Sequence, residues 1–74
     1  MSITVTGRIE YQNLGAGAWA IAAEDGQIYE LKEAPESLRQ ARGQVKVKGH
    51  IREDALSFAM IGPILEVESF EVLS

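Results

Sequence analysis

The chain has 74 residues, a formal charge of -4, 46% apolar and 24% charged residues, one histidine and no cysteine. A single domain of this length buries about 60% of its unfolded surface; the apolar share excludes a disordered chain, and the missing cysteines exclude a disulfide framework, a thiolate metal site and a cysteine nucleophile. The acidic balance repels polyanions at long range, and the opening Met1, Ser2, Ile3, Thr4 has no basic start or apolar stretch of a secretory leader, nor is any apolar run of membrane-spanning length, so a cytoplasmic protein without membrane contact is expected.

Ile3, Val5, Ile9 and Tyr11 alternate with Thr4, Thr6, Arg8 and Glu10, the period of a strand with one buried face, and Gly7 on the apolar side marks a bend. Residues 12–17 are turn-forming. Trp19, Ile21 and Ala23 then alternate with Ala18, Ala20 and Ala22 in a second strand, and Tyr29 and Leu31 mark a third.

The register of this hairpin follows from side-chain parity. A two-residue turn at Asp25 and Gly26 puts Ile28 and Glu30 on the face of Trp19 and Ile21, burying a glutamate beside the indole. A three-residue loop of Glu24, Asp25 and Gly26, with Gly26 left-handed, instead pairs Ile21 with Tyr29 and Trp19 with Leu31. The second register is the one expected.

The stretch from Ala34 to Gly43 has a proline near its first turn, an acid beside it, late arginines and a glycine stop, which predicts a short helix of about two turns. Val45, Val47, Gly49 and Ile51 form the apolar side of a fourth strand, and Lys46, Lys48, His50 and Arg52 give its outer side the chain's densest run of bases. Leu56, Phe58 and Met60 alternate again before Gly62 and Pro63 break the pairing. Leu65 and Val67 then face one way, and Phe70 and Val72 have the opposite parity. A bulge near Ser69 restores one buried face. The pattern leaves open whether residues 55–73 form one bent strand or a hairpin.

Three strands, a short helix and further strands within about 70 residues resemble the OB-fold, a five-stranded Greek-key barrel. The phrases Val5-Thr6-Gly7-Arg8-Ile9, Asp25-Gly26-Gln27-Ile28-Tyr29-Glu30-Leu31, Val45-Lys46-Val47-Lys48-Gly49 and Gly62-Pro63-Ile64-Leu65-Glu66-Val67 are similar to those of small bacterial single-domain OB-fold proteins of unknown function. The resemblance implies an all-β fold with one short helix, a small five- to six-stranded OB-like Greek-key barrel spanning residues 1–74, with the helix between strands 3 and 4. It implies no active-site residues. An SH3-like barrel ranks second, since it usually lacks a helix in this position.

Residues 15–20 formally fit the loose dinucleotide pattern G-x-G-x-x-A, but that motif needs a following helix to meet the pyrophosphate, and a strand follows here. His50 lies on an outward parity with no serine or cysteine arranged to form a nucleophile pair, so it reads as a solvated surface residue. Glu24, Asp25, Glu53 and Asp54 occupy turns, and Glu66, Glu68 and Glu71 lie in the last strand, none at the spacing of a calcium loop. Trp19 and Tyr29 share the apolar parity of Ile21 and Leu31, which assigns them to core packing rather than to base stacking.

The strongest positive feature is the basic stripe of Lys46, Lys48, His50 and Arg52, joined by Arg8 if strands 1 and 4 are neighbours. Alternating charges outside a barrel ordinarily serve solvation and edge protection. The expected function is therefore a non-enzymatic binding or adaptor module that contacts a protein partner through its surface, the alanine face and the edge strands being the candidate contacts, with no catalytic residue, metal or cofactor. A single-stranded nucleic-acid binder using Arg8, Lys46, Lys48, His50 and Arg52 is the alternative.

Overall fold

A computed structural model describes residues 2–13, 17–53 and 62–73. The described elements are β1 (Ser2–Gln12), β2 (Ala18–Ala23), β3 (Ile28–Lys32), α1 (Glu36–Arg39), β4 (Gln44–Ile51) and β5 (Ile64–Val72). The strands form a closed sheet in the order β1-β2-β3-β5-β4, with β4 pairing back onto β1. All neighbours are antiparallel except β3 and β5, which run parallel through Glu30–Ile64, Leu31–Leu65 and Lys32–Glu66. A parallel pair needs a long crossover, supplied here by α1 and β4.

Alternation decides what lies inside. Val5, Ile21, Leu31, Val45, Val47 and Leu65 project inward from all five strands and meet Leu38 of α1 in one buried cluster. Ile3, Ile9, Trp19, Ala23, Tyr29, Ile51, Val67 and Phe70 pack partly buried against it. Trp19 and Tyr29 therefore serve the core, although both are half-buried. The Tyr11 and Trp19 rings meet in an edge-to-face arrangement, 5.1 Å between centroids and 62° between planes, a favourable aromatic geometry.

Gly7, where a bend was expected, pairs in regular register on both sides, and the one departure from regular pairing among the described ladders is the expected bulge in β5. Gly7 is shared by both ladders of β1, opposite Ala23 of β2 and Val45 of β4, at the place where the long strand passes from one neighbour to the other. In the β4–β5 ladder Lys48 pairs with Ser69 and Gly49 with Val67, so Glu68 is the extra residue of a bulge. That one-residue shift brings Leu65, Val67 and Phe70 to the same interior. Val72, beyond it, is 51% exposed at the strand's end.

The hairpin has the expected register, with Ile21 opposite Tyr29 and Ala22 opposite Ile28. Ala23 donates to the Gln27 carbonyl at 2.8 Å and Gly26 to the Ala23 carbonyl at 3.1 Å, which closes the loop of Glu24, Asp25 and Gly26. The paired ladder ends at Ala20 and Glu30; the same register continued places Trp19 level with Leu31. Asp25 Oδ1 accepts the Gln27 N–H at 2.9 Å, and Gly26 has φ +94. A Cβ on Gly26 meets nothing within 4 Å, so Gly26→Ala should cost the conformational term alone, about 1 to 2 kcal/mol by urea denaturation. A stability equal to the parent's would show that the loop relaxes to negative φ without loss.

The helix is shorter than its sequence pattern. It has four residues, and Ala41 already donates to Leu38, an i to i-3 bond that tightens the end of the turn. A second turn is precluded by the short crossover. Ala34, Leu38 and Ala41 must all reach the core, and the chain re-enters β4 at Gln44 through Gly43 at φ +79. Residues 55–61 lie outside the described residues, so a sixth strand there is not addressed; β5 itself is one strand carrying the bulge.

Candidate interaction surface

On β4 the side chains of Lys46 and Lys48 point outward and are exposed, while His50 near its end and Arg52 just beyond it are half-buried. Across β1, Thr6 stands opposite Lys46, Thr4 opposite Lys48 and Ser2 opposite His50; Arg8 lies opposite Gln44, extending the row by one step. The structure thus brings Arg8 beside the stripe, as the neighbouring of strands 1 and 4 requires.

What the linear pattern did not reveal is the other neighbour. Strand β5 lays its acids along the same outer surface. Arg52 Nη1 lies 3.0 Å from Glu66 Oε1, His50 Nε2 lies 2.5 Å from Glu68 Oε1, and Glu71 is in register with Lys46. Glu68 shares the outward parity of Glu66, and as the extra residue of the bulge it has no direct partner on β4, its carboxylate meeting His50 instead. Opposite charges on adjacent strands contribute tenths of a kcal/mol each to the sheet. Their larger effect is on the field, since the densest run of bases is answered by carboxylates one strand away.

The alanine face differs from its expected form. Ala20 is fully buried, while Ala18, Ala22, Ile28, Glu30 and Lys32 are half-buried. Ala20 sits in register between Glu10 and Glu30, whose longer side chains flank its methyl group. It therefore offers no flat apolar contact at its centre.

A second feature is an open strand edge. Strand β1 has 11 residues and β2 has 6, and their ladder covers Gly7–Gln12 of β1. Beyond it a single bond runs from the Glu24 N–H to the Thr6 carbonyl at 3.0 Å. Ser2–Thr6 pair with β4 on their other side, and among the described residues no strand pairs with them on the β2 side. A groove along this edge is lined, among the described residues, by Ile3, Thr4, Val5 and Thr6 of β1, Ala23, Glu24 and Asp25 of the hairpin, and Tyr29 of β3. A mismatch in the length of the apolar alternation, Ile3 to Tyr11 against Trp19 to Ala23, is the sequence signal that points to it.

Among the described residues no group of three or more His, Asp or Glu side chains is placed to hold a metal ion, and no buried side-chain polar atom lacks a partner. Asp54 of the expected turn acids lies outside those residues; Glu24, Asp25 and Glu53 are exposed. Among the described residues no helix is long and apolar enough to cross a membrane. Comparison with family models, with curated proteins and with solved structures finds no match that assigns the chain to a family or a structural group.

Proposed function

We propose that this chain is a non-enzymatic binding module of the OB type that meets a protein partner through its surface. The OB reading is supported by the strand order β1-β2-β3-β5-β4, the parallel β3–β5 pair and the helix between β3 and β4. The observation that carries the functional reading is the β1 edge at Ser2–Thr6, which lies along a groove and has no strand partner on the β2 side among the described residues, the kind of edge that strand addition uses. A reducing, cytoplasmic setting suits a chain with no cysteine.

The alternative, a single-stranded nucleic-acid binder, draws on Arg8, Lys46 and Lys48, all exposed on one surface. It ranks second because Glu66, Glu68 and Glu71 accompany that surface on a chain of charge -4. Labelled single-stranded oligonucleotides should bind with a Kd no tighter than about 10⁻⁴ M at physiological salt. Sub-micromolar binding that weakens with salt and disappears in the Lys46→Glu, Lys48→Glu double variant would reverse the ranking. A pull-down from native extract, with both proteins and nucleic acids identified, tests the leading reading directly: a specific protein partner is the expected result, and specific nucleic acid alone would overturn it.

A further inference from the structure

We propose that the outer face of β1, β4 and β5 carries a binding site for a single phosphate monoester group, of the kind borne by a small phosphorylated metabolite, centred on Lys48. The site uses the face of the sheet rather than the β1 edge, and it goes beyond the reading proposed above.

The strand register sets the donors. Lys48 is in register with Thr4 of β1 on one side and with Ser69 of β5 on the other. Cross-strand neighbours on one face stand about 5 Å apart at Cβ, so two hydroxyls flank the stem of the lysine. Lys46 lies two residues along the same face, about 7 Å away at the rise of a strand. Thr4, Lys46, Lys48 and Ser69 are all exposed, and with Phe70 and Glu71 they line an open depression of about 290 Å³.

The bulge decides the charge. From Ile51 opposite Leu65 to Gly49 opposite Val67 the β4–β5 ladder is regular, and one further regular step would set Glu68 against Lys48. The extra residue places Ser69 there, and Glu68 meets His50 instead. Arg52 is bonded to Glu66, and Lys46 is in register with Glu71. Among the described residues Lys48 is therefore the one base of the stripe with a hydroxyl in register on both neighbouring strands. A phosphate monoester carries nearly two negative charges and three strong acceptor oxygens, which suits an ammonium on a flexible stem with rotatable hydroxyls beside it. Carboxylates bound the site at both ends, Glu71 at one and Glu66 and Glu68 at the other. A terminal phosphate is accommodated between them, whereas the successive phosphates of a polyanion would meet like charge.

The test titrates inorganic phosphate and glycerol phosphate separately into the whole chain at fixed ionic strength, followed by backbone amide NMR. Saturable shifts at Thr4, Lys46, Lys48 and Ser69 are expected for both, with dissociation constants in the millimolar range because every donor is exposed. Lys48→Gln should weaken binding about fivefold, the upper end for an exposed charge pair. Ser69→Glu, which sets a carboxylate where the regular ladder would have had one, should abolish saturable binding. Arg39→Gln with Arg42→Gln, at exposed bases of the α1 segment, should leave it unchanged. All four substitutions are at exposed positions, and amide dispersion reports whether each variant keeps its fold. Shifts without saturation, shifts spread equally over Arg8, Arg39 and Arg42, or parental affinity in Lys48→Gln or Ser69→Glu would overturn the inference. So would acetate binding as tightly as phosphate, or a single-stranded oligonucleotide without a terminal phosphate binding more tightly than glycerol phosphate.

Discussion

Gly7→Ala should destabilise the domain by about 3 kcal/mol or more, at the upper end of what one added methyl group does. A Cβ at this position would stand 2.0 Å from the Ala22 carbonyl oxygen, 2.7 Å from its carbon and 2.8 Å from the Ala23 Cα. All three are backbone atoms, so no rotamer change relieves the contact. Strand β1 must move away from β2, yet Gly7 is also opposite Val45 of β4, so the movement disturbs both ladders at once. For a chain of 74 residues the total stability expected at about 0.05 to 0.15 kcal/mol per residue is roughly 4 to 11 kcal/mol. The variant therefore sits near the limit of folding. Urea unfolding beside Gly26→Ala provides the comparison, since that position is open and tests backbone conformation alone. Equal losses at the two sites would show that the close approach at Gly7 is easily relieved and that its glycine serves only conformational freedom.

Leu38→Ala should cost about 2 to 5 kcal/mol, the range for truncating a fully buried leucine. Leu38 is fully buried and joins Val5, Ile21, Leu31, Val45, Val47 and Leu65 in the central cluster. A single turn of helix has no independent stability, because nucleation is unfavourable and four residues allow almost no propagation. The segment between β3 and β4 is held by this side chain, with Ala34 and Ala41 beside it. Loss of Leu38 should both lower the unfolding midpoint and accelerate amide exchange over residues 36–41. Glu36 and Arg39 are exposed on the same turn, and their alanine variants should change stability by less than about 0.5 kcal/mol. If Leu38→Ala behaved like those two, the helix would be an ornament on the closed sheet rather than part of its core.

These effects separate what a linear pattern encodes from what it leaves open. Period-two alternation reports which face of a strand is buried, so the inward sets Ile3–Val5, Trp19–Ile21 and Val45–Val47 were legible residue by residue. Where parity conflicts with burial, the conflict itself carries information. The glutamate that a two-residue turn would have buried selected the Ile21–Tyr29 register, and the phase change between Val67 and Phe70 announced the bulge at Glu68. These are local constraints, decided within a few residues of one another.

Tertiary structure alone decided the rest. Which edge meets which depends on backbone hydrogen bonds that every residue can make, so no side-chain signature announced that β5 would run parallel to β3 and antiparallel to β4. Only that closure sets Glu66 and Glu68 against Arg52 and His50, changing the basic stripe from a cationic surface into one of mixed charge. The same closure shortened the helix to one turn by fixing the short path from Lys32 to Gln44. Among the described residues it also left Ser2–Thr6 without a strand neighbour on the β2 side, because β2 turns back at Ala23 while β1 continues along β4, a consequence of three-dimensional strand lengths that the residues of β1 do not themselves record.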